Sequence, residues 1–240
     1  WWRTSRVSSN PESLDLATGA PAAAPRRVRA IVFDFDGVIL ESADVKTEAF
    51  LELYREHGPE LVAKVRAHHL ANLGISRFKK FAWIAEHLLG KQLSEEESQA
   101  LGERFSALAL QKVLAAPMVP GAQAALEALE GKLPMFVASG TPQGELDMIV
   151  DQRGLRRFFL EVWGTPAEKP AIVRDLLARH GLAPTEVLFI GDGLSDHKAA
   201  SETGLHFLAR STAELRAEWE KLAVRKADDL SNLVAQLEGW

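Results

Sequence analysis

The chain contains no cysteine, which excludes disulfide frameworks, thiolate zinc sites and cysteine nucleophiles. It also has no uninterrupted apolar run of the roughly 18 residues that a membrane span needs. Lys and Arg number 28 against 33 Asp and Glu, so the formal net charge is −5. A chain without a basic excess is not expected to bind nucleic acid or an anionic membrane. We therefore expect a cytoplasmic monomer or homodimer with neither kind of partner.

What is present is typical of a globular protein. The 240 residues are 47% hydrophobic and 25% charged, enough for one large domain or two modest ones. The first residues mix Ser, Ala, Pro and Arg with little periodicity, and we interpret residues 1–28 as a flexible leader. The same composition would suit a transit peptide, although Glu12 and Asp15 argue against one.

From residue 29 onward, short apolar runs alternate with amphipathic segments, which is the pattern of a parallel sheet covered by helices. Strands buried on both faces appear in a sequence as continuous apolar runs. The predicted strands are Arg29–Phe35, Leu133–Ser139, Phe159–Trp163, Val187–Ile190 and His206–Ala209. Helices are predicted at Gly121–Leu129, from near Pro142, at Ala171–His180 and at Leu230–Leu237.

One interval breaks this alternation, because residues 43–116 show only helical periodicity. The predicted helices are Thr47–Arg55, Glu60–Ala71, Phe78–Leu89 and Ser94–Leu114. Three Glu residues follow Ser94 and mark a capped helix start. We predict a helical cap over residues 43–116 inserted into an α/β core of residues 29–42 and 117–240. The hinges are expected near Leu40–Ala43 and Pro117–Gly121.

Acidic residues follow two of the predicted strands. Asp34 and Asp36 end the first, and their i, i+2 spacing projects both side chains from one face. Asp192 and Asp196 follow the fourth strand. If these strands are neighbours, carboxylates about 4 Å apart repel by about 4 kcal/mol at an effective dielectric constant of 20. Either some are protonated or a cation is bound, and oxygen-only ligands favour Mg²⁺.

Two further segments have the chemistry of a phosphate site. Ser139 and Gly140 follow another predicted strand, where a hydroxyl and exposed amides suit a phosphate oxygen. Lys169 stands at the start of a predicted helix and offers an ammonium group. Each feature alone also occurs at ordinary strand and helix ends, so the prediction depends on the combination.

In this order, the four segments resemble the four motifs of the haloacid dehalogenase superfamily, and the resemblance spans residues 29–238. It implies an α/β fold: a Rossmann-like, doubly wound parallel sheet with an inserted helical cap domain. It also implies phosphoryl transfer through an aspartyl-phosphate. Position by position, Asp34 matches the nucleophile and Asp36 the general acid and base. Ser139 with Gly140 and Lys169 match the phosphate-binding residues, and the expected Mg²⁺ ligands are Asp34, Asp36, Asp192 and Asp196.

The second acid of the first motif narrows the expected reaction. Family members that dehalogenate generally lack it, because carbon–halogen cleavage has no oxygen leaving group to protonate, so Asp36 favours phosphoryl chemistry. We expect a Mg²⁺-dependent phosphatase that hydrolyses a small phosphorylated metabolite, a sugar phosphate or a phosphoglycolate-like acid. The alternatives are a sugar phosphomutase like β-phosphoglucomutase and a catalytically idle binding module.

Substrate choice is expected to depend on the cap. Arg77 and Lys80 lie three residues apart on one helical face and could clamp an anionic or sugar-like leaving group; the alternative is a solvated basic face. Phosphonatase relatives use a lysine of the cap to form a Schiff base, and Lys79 or Lys80 leaves that chemistry open for this chain.

Three histidines lie near these motifs. Adjacent helical residues point about a hundred degrees apart, so His68 and His69 are predicted to make a polar contact between cap and core rather than to bind metal. His197 follows Asp196 and either lies near the site or on the helix surface.

Overall fold

The computed structural model describes residues 28–240. Within them, six strands form one parallel sheet in the order β3-β2-β1-β4-β5-β6. The strands are β1 (Ala30–Phe33), β2 (Met135–Pro142), β3 (Glu161–Thr165), β4 (Val187–Gly191), β5 (His206–Arg210) and β6 (Arg225–Ala227). The predicted α/β, doubly wound fold is confirmed, with one additional edge strand, β6. The predicted leader lies outside the described residues except for Val28, which is buried.

Ten α-helices connect and cover these strands in the described part of the chain, and none is both long and apolar enough to cross a membrane. The first five are α1 (Ala43–Leu53), α2 (Pro59–Ala71), α3 (Arg77–Leu88), α4 (Glu95–Ala115) and α5 (Ala122–Leu129). The others are α6 (Gln143–Gln152), α7 (Lys169–His180), α8 (Leu194–Thr203), α9 (Arg216–Lys221) and α10 (Leu233–Leu237).

The central strand β1 has apolar side chains on both faces. Ile31 and Phe33 pack into the cluster that contains α5, α6 and α10, whereas Ala30 and Val32 pack into the cluster that contains α7 and α8. Because both faces are covered by helices, the strand is apolar at every position, as the continuous run in the sequence predicts. The order of the strands reverses between β1 and β4, and in such sheets ligands bind beyond the carboxyl ends of the strands at this point.

Helices α1–α4 lie between β1 and α5 in the chain, and we call this segment, residues 43–116, the helical insert. Its interior is aromatic: Phe50 on α1 lies with its ring centroid 4.8 Å from that of Phe105 on α4 and 5.5 Å from that of Phe81 on α3. The entering and leaving connections run side by side, since the Glu41 N–H donates to the Pro117 carbonyl oxygen at 2.9 Å. The two chain connections between the insert and the sheet therefore lie at one place.

Candidate active site

The pairing of β1 with β4 brings two acidic loops together. The Asp34 N–H donates to the Ile190 carbonyl oxygen at 2.9 Å, so Asp34 lies directly beside the end of β4. Asp192 follows β4, and Asp196 lies in the first turn of α8. One carboxylate oxygen from each of these three residues lies within 4.8 Å of the others, and all three are buried. Three of the four predicted acids therefore meet at this edge of the sheet.

Lys169, the first residue of α7, supplies a positive charge to this cluster. Its Nζ lies 2.9 Å from Asp34 Oδ2 and 2.5 Å from Asp196 Oδ1. Burial alone would lower the pKa of Lys169, but the carboxylates of Asp196 and Asp34 outweigh it and raise that pKa above its ordinary value. The second oxygen of Asp196 accepts the Gly193 N–H at 2.9 Å. Lys169 is therefore charged, and both oxygens of Asp196 have protein donors.

One lysine does not neutralise three buried acids. Burial, with the nearby charge of Asp196, raises the pKa of Asp34 to about 7. Burial and the charge of Asp34 likewise raise the pKa of Asp192 well above its ordinary value. Among the described residues, no side chain or backbone N–H donates a hydrogen bond to the Asp192 carboxylate. Oxygen ligands with uncompensated negative charge fit a hard divalent cation, and Asp192 is the one carboxylate of the three without a protein donor among the described residues.

Asp36 lies outside this cluster, although its place in the sequence predicts a metal ligand. Its carboxylate pairs with the ammonium of Lys46 on α1 and accepts the hydroxyls of Ser42 at 2.7 Å and Thr141 at 2.9 Å. Burial raises the pKa of Asp36, but the Lys46 charge and these hydrogen bonds outweigh it and leave that pKa below its ordinary value. The side chain of Asp36 is thus ionised and faces α1, because α1 supplies the cation that compensates it.

Gly37 allows the two acidic loops to approach each other. Its φ is +77°, and a Cβ built on it would lie 2.0 Å from Asp192 Oδ2. A larger residue would be strained in the backbone and would displace the carboxylate. The Asp-x-Asp-Gly spacing in the sequence is therefore needed for the close packing of the cluster.

The predicted phosphate-binding residues lie around the same sheet edge. Ser139 is buried, and its Oγ accepts the Thr141 N–H at 3.1 Å. Gly140 and Thr141 line the cavity above Asp34, whereas Ser139 and Lys169 line a neighbouring cavity of about 410 Å³. Gly140 lines both cavities, and Ser139 shares the second one with Lys169, which contacts the acidic cluster.

The loop between α2 and α3, residues 72–76, brings the helical insert onto the acidic cluster. The Ser195 hydroxyl donates to the Leu73 carbonyl oxygen at 2.7 Å. At Gly74, where φ is +79°, a Cβ would lie 2.9 Å from Lys169 Nζ. The insert therefore covers the sheet edge and limits the space above Asp34.

Arg77 and Lys80 are both buried and line the cavity above Asp34, which rules out the solvated basic face. Arg77 has protein partners: it donates to Glu145 of α6 at 2.6 Å and to Ser106 at 2.8 Å. Lys79, in contrast, is exposed and pairs with Glu168 at 2.5 Å. Of the two candidate amines, only Lys80 lines the cavity above Asp34.

The contacts of His68 and His69 differ from expectation. His68 stacks on Trp83 with ring centroids 3.7 Å apart, and His69 Nδ1 lies 3.2 Å from Lys80 Nζ. Since both partners belong to the helical insert, the predicted contact between cap and core is wrong. His197 packs against Phe207 at 5.3 Å, within an apolar cluster, and does not line the cavity above Asp34.

Two residues near the site carry little signal in the sequence: Lys46 and Glu145. Lys46 lies ten residues after Asp36, in an amphipathic segment where a lysine is unremarkable. It could be found only by noting that α1 starts directly after the acidic turn and must cross the sheet edge. Glu145 is distant in sequence from its partner Arg77, and no local pattern connects the two.

Several known proteins resemble this chain in sequence or in fold. A family model described as haloacid dehalogenase-like hydrolase matches residues 28–204. The phosphoglycolate phosphatase of Pasteurella multocida is 29% identical over 187 residues, which cover 73% of this chain and 82% of that protein. The putative phosphatase YhcW of Bacillus subtilis is 30% identical over 186 residues, covering 74% and 81%. A putative β-phosphoglucomutase structure from Bacteroides vulgatus shares the fold: the TM-score is 0.72 at 18% identity, covering 89% and 88%.

Proposed function

This chain belongs to the haloacid dehalogenase-like hydrolases, and from that premise we propose that it is a Mg²⁺-dependent phosphatase of a small phosphorylated metabolite. The observation that carries the proposal is the meeting of Asp34, Asp192 and Asp196 around Lys169 at the carboxyl edge of the sheet. Relatives named as phosphatases support the choice of phosphoryl transfer within the family.

In the proposed first step, the Asp34 carboxylate attacks phosphorus, and the bond between phosphorus and the leaving oxygen breaks. An aspartyl-phosphate forms, and Asp36, after taking up a proton from solvent, passes that proton to the leaving oxygen. In the second step, water attacks the same phosphorus, Asp36 takes up its proton, and the Asp34 carboxylate and inorganic phosphate are released. Asp36, held by Lys46, Ser42 and Thr141, is ionised in the form that accepts this proton.

The surrounding residues would bind and orient the phosphoryl group. Lys169 holds Asp34 in place and contributes positive charge, and the loop with Ser139 and Gly140 offers a hydroxyl and backbone amides. Asp34, Asp192 and Asp196 would hold the Mg²⁺ ion, each through one carboxylate oxygen. When bound, Mg²⁺ supplies charge that neutralises the carboxylates and the phosphoryl oxygens.

We also propose that residues 43–116 act as the cap and residues 29–42 and 117–240 as the catalytic core. The contact of the 72–76 loop with Ser195 supports this division, because the insert closes the space in which the phosphoryl group would react. A cover that excludes water during transfer protects the acyl-phosphate.

We favour hydrolysis over sugar phosphomutase activity because the sequence relatives are named as phosphatases. The cavity above Asp34 has a volume of about 50 Å³. At about 10–15 Å³ for each water, it holds roughly three to five water molecules. Any phosphomonoester has more non-hydrogen atoms than this, so the helical insert must move to admit a substrate. An idle binding module is disfavoured because Asp34, Asp36 and Lys169 are all present and held by specific partners.

The proposal is tested by phosphate release from a panel of phosphomonoesters, with Mg²⁺ or with a chelator. We expect Mg²⁺-dependent release by the wild type and a loss of roughly 10³-fold or more in Asp34→Asn, since the nucleophile is removed. Asp175→Asn makes the same chemical change on an exposed face of α7 and serves as the matched control. Undiminished turnover by Asp34→Asn, or no release from any ester by the wild type, would refute the proposal.

A further inference from the structure

Lys80 is a buried lysine that has no acidic partner. Its side chain lines the cavity above Asp34, and only 3% of its surface is exposed. Among the described residues, no carboxylate oxygen lies within 4.0 Å of its Nζ. Its nearest polar neighbour is His69 Nδ1 at 3.2 Å, and the ring of Phe50 lies 5.3 Å away. A neutral imidazole and an aromatic face compensate an ammonium only in part.

The other cationic side chains of the site are each neutralised by an acid. Lys46 pairs with Asp36, Lys169 with Asp34 and Asp196, and Arg77 with Glu145. The charge of each of these side chains is neutralised within the protein, so none of them needs a ligand as its counter-ion. Among the described residues that line the cavity, Lys80 is the cation that still lacks a counter-charge.

His69 adds a second polar group to the same place. Because the ammonium of Lys80 can only donate, Nδ1 of His69 accepts and the ring proton resides on Nε2. Nε2 is buried and has no hydrogen-bond partner among the described residues. His69 lines the same cavity as Lys80. The structure thus holds an unneutralised ammonium and an unpartnered ring N–H side by side, and buried donors of this kind are costly unless an acceptor reaches them.

We propose that Lys80, oriented by His69, binds a second anionic group on the leaving group, so that the preferred substrates are phosphomonoesters that also carry a carboxylate or a second phosphate. This inference rests on the proposed phosphatase function. It assigns selection of the anionic end to Lys80 rather than to Arg77, which Glu145 already neutralises.

The test compares three esters with the same two-carbon backbone and different ends: phosphoglycolate, ethane-1,2-diol bisphosphate and 2-hydroxyethyl phosphate. For the wild type, we expect kcat/KM for at least one anionic ester to exceed that for the neutral ester by roughly ten-fold or more. Lys80→Met should reduce this ratio by roughly ten-fold, and Lys80→Arg should retain more of it. The two anionic esters show whether a carboxylate or a phosphate is preferred.

Lys79→Met is the matched control, because Lys79 is the adjacent lysine but is exposed and paired with Glu168. Its ratio should equal that of the wild type. Lys80→Met exchanges a buried ammonium for an apolar side chain of similar length, so its Tm should be no lower than that of the wild type. An unchanged ratio in folded Lys80→Met overturns the inference.

A binding measurement separates this inference from the proposed function. Isothermal titration calorimetry with phosphoglycolate is done on Asp34→Asn, which cannot form the aspartyl-phosphate, and on the same protein with Lys80→Met added. We expect the second protein to bind roughly ten-fold or more weakly. Equal affinity overturns the Lys80 subsite even if the wild type hydrolyses phosphomonoesters. A weaker affinity supports the subsite even if turnover fails.

Discussion

Asp34 and Lys80 are buried ionisable residues that line one small cavity, and the protein compensates neither completely. Burial and the charge of Asp196 raise the pKa of Asp34 to about 7. Burial, together with the charges of Lys46 and Lys169, lowers the pKa of Lys80 to about 7. Each group therefore costs folding free energy that a bound cation or anion would recover. This is the arrangement expected of a binding site rather than of a purely structural interior.

The lowered pKa of Lys80 predicts a pH dependence of stability. Between about pH 7 and 10.5 the unfolded chain carries a proton on Lys80 that the folded protein does not, so the free energy of unfolding rises with pH in this window. Below about pH 7 the full cost is present. Urea unfolding at the two ends of the window should therefore show that Lys80→Met is more stable than the wild type near pH 7 and that this advantage shrinks toward pH 10.5.

The comparison isolates Lys80 from its charged neighbours. The groups that face it are His69 on α2, Lys46 on α1, Lys169 on α7, and the acids Asp36 and Asp192. Both proteins contain these groups. The effect of their titration on stability therefore largely cancels when the free energies of unfolding of Lys80→Met and the wild type are subtracted. Lys79→Met should show no such pH-dependent difference from the wild type. A constant stability difference between Lys80→Met and the wild type would show that Lys80 does not lose its proton in this window.

At the level of single elements, the start of α4 is fixed by local chemistry. The Glu97 N–H donates to Ser94 Oγ at 3.1 Å, and Glu97 Oε2 accepts the Ser94 N–H at 2.9 Å, which is a capping box. Ser94→Ala removes one of these two bonds and should lower the free energy of unfolding by about 1 kcal/mol. Urea denaturation measures the loss.

Two further variants check this prediction at the same helix. Ser94→Asp keeps a capping oxygen and should restore most of the lost stability. Gln99→Ala changes an exposed residue of α4 outside the cap and should have little effect. If Ser94→Ala is as stable as the wild type, the cap does not determine the helix start.

The elements differ in how far the sequence predicts them. Strand β4 is a continuous apolar run and is predicted to within one residue, because burial on both faces fixes its composition. Strand β6, Arg225–Ala227, is not predicted, since two of its three residues are charged and it forms only by pairing with β5 at the sheet edge. Helix α1 begins at Ala43, earlier than predicted, because the chain must turn there for Ser42 to reach Asp36.

The residues of the candidate site also differ in how far the sequence predicts their positions. Asp34, Lys169, Asp192 and Asp196 follow strands or start helices, and the parallel sheet brings such positions to one edge, so their proximity follows from the pattern. The partners of Asp36 do not follow from it. That Lys46 faces Asp36 depends on how α1 crosses the sheet edge, and that Lys80 lacks an acidic partner depends on the packing of three helices.

At the scale of the whole molecule, the helical insert and the sheet are joined by polar contacts of different burial. Arg77 and Glu145 form a buried pair, with side chains 5% and 11% exposed, whereas Lys79 and Glu168 form an exposed pair. A buried pair broken on one side leaves an uncompensated charge, while an exposed pair contributes little because water screens it. The Arg77–Glu145 pair should therefore contribute more than the Lys79–Glu168 pair to holding the insert against the sheet.

Glu145→Ala tests this difference. It leaves the Arg77 guanidinium buried without its acid and should lower the free energy of unfolding by about 3 kcal/mol. Glu168→Ala removes the exposed partner and should cost less than about 1 kcal/mol. Both are measured by urea denaturation, and equal effects of the two substitutions would contradict the role assigned to burial.

The central claim is that Asp34 becomes phosphorylated during turnover. The most direct measurement is acid quenching of the wild type in the first turnovers of a substrate, followed by peptide mass spectrometry. We predict that the peptide containing Asp34 gains the mass of one phosphoryl group, that fragmentation places this group on Asp34, and that a chelator prevents the gain. Phosphate release without phosphorylation of Asp34, or with the phosphoryl group on another residue, would contradict the account.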